Sequence, residues 1–184
     1  MRLFLLLVSL VLAVPSRAVA DEALWQLMRG GGQVILMRHA VTTPGVGDPT
    51  GFKLDDCSTQ RNLTDAGRED ARRVGATFRA RSIPVGRVLS SPWCRCLETA
   101  RLAFGVAEPW APLSNLFDNR AAETEQLRAL RDLAGRRPTA GNVVLITHGS
   151  VVLPLTGIQP APAELVVLTP EGSSRFRVAG RLTP

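Results

Sequence analysis

Two runs of consecutive apolar residues each end on a histidine. The first is Val34-Ile35-Leu36-Met37, followed by Arg38-His39-Ala40; the second is Val143-Val144-Leu145-Ile146, followed by Thr147-His148-Gly149-Ser150. Four apolar residues in a row, β-branched at the start, fit a strand covered on both faces. Between and after these runs the pattern alternates. A helical period over Thr64 to about Arg81 places Ala66, Ala71, Val74 and Phe78 on one side, with Thr64-Asp65 as its opening. Arg87–Ser90 reads as a short strand. A helix follows, with Ser91 as its expected N-cap and Pro92 at its first position, ending at Gly105. Ala122–Ala134 reads as a helix closed by Gly135, Val151–Thr156 as a turn or helix, Glu164–Thr169 as a strand, and Arg175–Ala179 as an edge strand. Asp21–Met28 is a short helix broken by Gly30-Gly31-Gly32. Strands alternating with helices at these intervals predict an α/β fold, a three-layer α/β/α sandwich around a mostly parallel sheet.

Two stretches escape the periodicity. Thr42–Asn62 is long and rich in Gly, Pro and Asp, and 108–120 is irregular; loops of this kind inside a compact domain are usually functional. The start of the chain is different again. Met1-Arg2, the apolar Leu3–Val14 and the small-residue Ala18-Val19-Ala20 have the form of a secretory signal peptide covering residues 1–20, too short for a stable membrane span. Residues 21–184 then form one domain, expected in a periplasm or secreted.

Charge and cysteine narrow the function classes. The formal charge is +6, and Lys53 is the only lysine, so the positive charge is almost all arginine. Arginine forks suit bidentate grip on phosphate or carboxylate. The basic residues are scattered, with no run longer than Arg72-Arg73 or Arg136-Arg137, which with the leader argues against a nucleic-acid partner. Three cysteines, Cys57, Cys94 and Cys96, predict one disulfide joining Cys57 to Cys94 or to Cys96 in an oxidising compartment.

An ionisable group at the end of a buried strand sits at the carboxyl edge of an open sheet, where such folds build their sites. His39 and His148 therefore meet over one small ligand, with Arg38 beside them and Arg95 from the first turn of a helix. Donors of this kind match a phosphoryl group, whose transition state spreads charge over its equatorial oxygens. A two-histidine metal site completed by Asp55, Asp56, Asp118 or the cysteines is the alternative.

Four segments in order resemble the histidine phosphatase superfamily, which includes phosphoglycerate mutases and bacterial phosphohistidine phosphatases. They are Arg38-His39-Ala40 for its R-H-G, Leu63-Thr64-Asp65-Ala66-Gly67 for L-T-x-x-G, Ser90-Ser91-Pro92 through Arg95 to Thr99-Ala100 for S-S-P-x-x-R-x-x-x-T-A, and Thr147-His148-Gly149 for the second histidine motif. The resemblance implies a phosphoglycerate mutase-like fold and a phosphatase working through a covalent phosphohistidine on His39. Arg38, Arg95 and His148 would hold the phosphate, with no metal and no cofactor. The substrate would be a phosphorylated small molecule or a phosphorylated protein.

The pattern departs in two places. Alanine replaces the family's glycine at Ala40, and Asn115 of Leu113-Ser114-Asn115 stands where the mutase branch has its acidic glutamate. Asp118 is then the first candidate for the general acid and Glu123 the second. A protein that binds phosphate without turnover is the competing function. Trp93 and Phe52 are candidates for an aromatic wall.

Overall fold

The computed structural model describes residues 17–117 and 120–184. Residues 1–16, which hold most of the expected leader, lie outside that range; Arg17–Ala20 form the first turn of helix α1, Arg17–Arg29. The remaining elements are β1 Val34–Arg38, α2 Asp65–Ala80, β2 Val85–Ser90, α3 Cys94–Phe104, β3 Glu108–Pro109, α4 Glu123–Ala134, β4 Asn142–Thr147, α5 Gly149–Thr156, β5 Leu165–Gly172 and β6 Arg175–Leu182.

The sheet order is β3-β2-β4-β1-β5-β6. β3, β2, β4 and β1 pair in parallel, while β1–β5 and β5–β6 are antiparallel. The predicted three-layer sandwich with a mostly parallel sheet is therefore what forms. The antiparallel hairpin at one edge arises because two residues, Ser173 and Ser174, connect its strands, both at positive φ (48° and 61°). That mirror-image turn matches the twist of the strands, whereas a parallel return would need a crossover.

The apolar run of β1 is covered on both faces, as its pattern requires. Ile35 and Met37 face one core with Trp25 of α1, Val74 and Phe78 of α2 and Ala100 of α3. Val34 and Leu36 face the other, with Leu127 and Leu130 of α4 and Val151 and Leu155 of α5.

Local chemistry sets the helix starts. Thr64 caps α2, its hydroxyl accepting from the Gly67 N–H at 3.0 Å. Gly67 of the same motif is a packing requirement: a Cβ there would lie 2.0 Å from the Val41 carbonyl oxygen. The expected cap of α3 does not form. α3 begins at Cys94, with Trp93 in the cap position and no side-chain cap. Ser91 stands two residues ahead of the cap position, where its hydroxyl bonds His148, the residue after β4, at 2.8 Å.

Candidate active site

Strand register brings the two histidines together. Arg38 pairs with Thr147 at the carboxyl ends of β1 and β4, and Ser90 of β2 pairs with Ile146. The next residue of each strand is therefore His39, His148 or Ser91, all at one edge. The His39 N–H donates to the Thr147 carbonyl at 2.9 Å, and the imidazole centroids lie 5.4 Å apart. His39 and His148 are each 3% exposed, and Arg95 is 1% exposed. A hollow of about 250 Å³ is lined by Arg38, His39, Arg95 and His148, together with Arg61 and Asn115.

Each ring is held in one orientation. His39 Nδ1 lies 2.9 Å from the Ala40 carbonyl oxygen. A carbonyl only accepts, so Nδ1 carries the proton and Nε2 keeps a free lone pair. The Trp93 backbone N–H donates to Ser91 Oγ at 3.4 Å, and Ser91 Oγ lies 2.8 Å from His148 Nε2 in a hydrogen bond. Burial pushes His39 down to about 3, and Arg95, Arg38 and Arg61 add to the shift against the opposing bond to Ala40. Burial first, and then His39 and the same arginines, put His148 well below its ordinary value. Both rings are neutral at physiological pH.

Arginines dominate the wall. Arg38 donates to the Pro160 carbonyl at 2.9 Å and Arg61 to that of Gly45 at 2.9 Å. Arg95 grips Asp48 through two bonds of 2.7 and 3.1 Å. Burial alone would raise the Asp48 carboxyl. The two donors of Arg95, the Arg61 backbone N–H and the Trp93 indole together bring it below its usual value. Asp48 thus compensates the Arg95 guanidinium, while Arg38 and Arg61 bond only backbone carbonyls. The Nε of Arg38, of Arg61 and of Arg95 is each buried without a hydrogen-bond partner, a costly state for a charged donor.

The long 42–62 loop delivers Asp48 and Arg61, and its irregular backbone is tied down residue by residue. The Gln60 amide donates to the Lys53 and Leu54 carbonyls, both at 3.0 Å, and accepts from the Cys94 N–H at 3.0 Å. The expected disulfide joins Cys57 to Cys94, not to Cys96. Cys96 is a buried free thiol 3.5 Å from His148 Nε2, and burial pushes it up to about 12. Trp93 packs edge-on against His148 at 5.5 Å, and Phe52 lies 6.0 Å behind it.

Of the expected site residues, Arg38, His39, Arg95 and His148 converge. Asp118 lies outside the described residues. Glu123 lines a different hollow, with Leu116, Leu153 and Pro154. Among the described residues no three His, Cys, Asp or Glu side chains cluster as metal ligands would; Asp55 and Asp56 are exposed on the loop. Asn115 is at the hollow, its Oδ1 accepting from the Ser150 hydroxyl at 2.6 Å and the Phe117 N–H at 3.1 Å. Ala40 does not adopt positive φ, so the alanine costs no backbone strain there. Its N–H donates to Thr99 Oγ1 at 3.2 Å. Asp48 and Arg61 are the residues that the sequence reading missed. Both lie in the 42–62 loop, outside the four recognised segments, and neither carries a local signal.

The model of the histidine phosphatase superfamily (branch 1) matches residues 34–118. No protein of curated function matches the chain by sequence. Among solved structures, the protein histidine phosphatase SixA complexed with tungstate is 21% identical, with a TM-score of 0.55 over 83% of this chain and 97% of that one. Phosphoserine phosphatase of Entamoeba histolytica, in complex with 3-phosphoglyceric acid, is 15% identical with a TM-score of 0.53, covering 74% and 89%. The product of the open reading frame Rv3214 from Mycobacterium tuberculosis is 18% identical with a TM-score of 0.54, covering 80% and 96%. These likenesses establish the fold.

Proposed function

We propose that this chain, which matches the histidine phosphatase superfamily in sequence over residues 34–118 and in fold over most of its length, is a phosphatase that works through a covalent phosphohistidine on His39. The observation that carries this reading is a neutral imidazole whose Nε2 lone pair is free, set beside three arginines whose buried Nε groups have no partner. An anion in the hollow meets the guanidinium wall and the nucleophile at once.

In this mechanism His39 Nε2 attacks phosphorus, and the bond from phosphorus to the leaving oxygen or nitrogen breaks on the opposite side. Arg38, Arg95 and His148 hold the equatorial oxygens, where charge accumulates. Because His39 is already neutral, no base is needed to activate it. The leaving group takes its proton from Asp118, three residues beyond Asn115, in this proposal. Water then cleaves the phosphorus–nitrogen bond and restores the imidazole.

The substrate class is a phosphorylated small molecule or a phosphorylated protein side chain. A relative that acts on phosphohistidine and one that acts on phosphoserine share this fold, so the fold leaves both open. The leader-like start and the disulfide support a periplasmic or secreted site of action. Among the described residues no helix is long and apolar enough to cross a membrane.

A second reading, phosphate binding without turnover, draws on Asn115 in place of a carboxylic acid. Hydrolysis of p-nitrophenyl phosphate by the purified protein decides between the two. Turnover that disappears in His39→Ala supports the enzyme. Tungstate binding with no turnover of any phosphate ester or phosphoramidate supports the binder.

A further inference from the structure

We propose that the Cys57–Cys94 disulfide is a site of thiol exchange, and that making or breaking it decides whether the anion hollow is assembled. The activity arm of this inference rests on the phosphatase reading; its structural arm does not.

The bond joins two parts of the hollow that come from distant sequence. Cys57 lies in the 42–62 loop that carries Asp48 and Arg61; Cys94 opens α3 directly before Arg95. It is the covalent tie between the loop that supplies one side of the Asp48–Arg95 pair and the helix that supplies the other. Without it the loop has to be held by non-covalent ties such as the Gln60 bonds, the Asp48–Arg95 pair and the Asn62 amide bond to the Cys57 carbonyl at 2.6 Å. Those non-covalent ties must then offset the ordering entropy of a long segment, which the cross-link had removed from the unfolded reference.

The disulfide is also reachable. Both cysteines line a second surface hollow of about 330 Å³, with Asn62, Arg68, Leu97, Glu98 and Arg101. It shares no lining residue with the anion hollow. Cys57 is exposed and Cys94 is 8% exposed, so an incoming thiolate meets the Cys57 sulfur first. Arg68 is bound to Glu98 and Asp65, while Arg101 is exposed at the rim and adds positive charge where the thiolate enters.

The exchange balances as follows. The attacking thiolate of a dithiol forms a bond to Cys57 Sγ, and the Cys57–Cys94 bond breaks with its electron pair on Cys94. That thiolate leaves at the amino end of α3, where the helix dipole favours negative charge. The second thiol of the reagent then displaces Cys57. Two electrons have passed to the protein and the dithiol has become a disulfide. A disulfide reagent reverses each step. The buried Cys96, held as a thiol, takes no part.

The consequence is a chain whose hollow is complete only where the disulfide persists, in an oxidising compartment. Loss of the bond frees the loop, and Arg61 and the buried partner of Arg95 go with it.

The test compares oxidised protein, the same sample reduced with dithiothreitol, and the reduced sample reoxidised with glutathione disulfide. Tungstate is the binding probe, followed by calorimetry. Trypsin cleavage after Lys53 and Arg61 reports the loop independently of any activity. Reduction is expected to weaken tungstate binding at least tenfold and to speed cleavage at least tenfold, with far-UV circular dichroism unchanged and both effects reversed on reoxidation. Cys57→Ala should behave as the reduced protein with or without dithiothreitol. Equal tungstate affinity and equal cleavage in the two redox states overturn the proposal. A reduced chain that loses its helical signal also overturns it, since the bond would then be a general staple and not a switch. Oxidised protein that binds tungstate without hydrolysing any phosphate removes the phosphatase reading, while the tungstate and trypsin results still decide the switch.

Discussion

Asp48 and Arg95, from segments 47 residues apart in the sequence, form a two-bond ion pair in which the carboxylate has no solvent exposure and the guanidinium has 1%. Arg95 contributes to the wall of the anion hollow, so the pair ties a binding residue to the loop opposite it. Arg95 keeps a buried, unpartnered Nε while its other nitrogens are bonded. The carboxylate thus orients the fork without satisfying every donor on it.

Removing one member of such a pair leaves a buried charge uncompensated. Asp48→Asn is expected to destabilise the protein by about 3–5 kcal/mol, seen as a lower Tm. Phosphate or tungstate in the hollow should recover part of that loss, because an anion replaces the missing charge. A variant as stable as wild type would show that the pair adds no net stability, and one that anions fail to rescue would show that Arg95 does not face the ligand.

Arg95→Lys keeps the charge and loses the planar fork. Turnover is expected to fall at least tenfold, since a point charge cannot bond Asp48 and a phosphate oxygen in the same geometry. Steady-state kinetics with p-nitrophenyl phosphate measures it, and unaltered kcat/KM would argue against direct contact.

His39→Ala should lower kcat by at least about 10³-fold with a melting curve close to wild type. A sample of the wild type quenched in alkali should carry a phosphoryl group that is stable there, is released on acidification, and is absent from the variant. Substantial residual turnover in the variant would remove His39 as the nucleophile.

The two histidines set the pH dependence of stability. In the folded protein His39 is pushed down to about 3 and His148 lies well below 6.5, whereas in the unfolded chain both titrate near 6.5. Below 6.5 the unfolded chain therefore binds more protons, so stability rises with pH between about 3 and 6.5 and is lost on acidification. The slope is up to about 1.4 kcal/mol per pH unit per histidine. Differential scanning calorimetry should show Tm falling from pH 7 to pH 5. A Tm that holds constant across that range would mean the folded rings take up protons too.

Asp118→Asn tests the proposed acid. Esters of poorly acidic alcohols should lose about 10²–10⁴-fold in kcat, while p-nitrophenyl phosphate, whose leaving group needs little protonation, loses far less. Equal effects on both substrates would place the acid elsewhere.

Gly67→Ala puts a methyl 2.0 Å from the Val41 carbonyl oxygen, with backbone on both sides of the contact. The expected cost is about 1–3 kcal/mol, or roughly 2–12 °C in Tm. Val41 lies two residues beyond His39, so kcat should fall as well. A variant with an unchanged Tm would show that α2 can shift away freely.

The chemistry at strand ends was legible because it is written in contiguous residues. An apolar run covered on both faces must be interior, and the ionisable residues that follow it must emerge at the sheet edge; Arg38, His39 and His148 follow from that. Thr64 as a cap and Gly105 as a helix end follow from local backbone chemistry. Ser91 misled for a physical reason. The helix starts at Cys94, too late for it to cap, and the register of β2 against β4 puts His148 within reach of its hydroxyl.

What the sequence by itself determined is the alternation of strands and helices, the residues that end the central strands, and the presence of enough arginine to hold an anion. Tertiary structure alone decided that Asp48 is the partner of Arg95, that Arg61 joins the wall, that Cys57 chooses Cys94, and that β5 and β6 return antiparallel. Those four are contacts between segments with no shared period or motif. Which of many chemically equivalent carboxylates or thiols ends beside a given group depends on where the chain is brought back, and that is set by packing across the whole sheet.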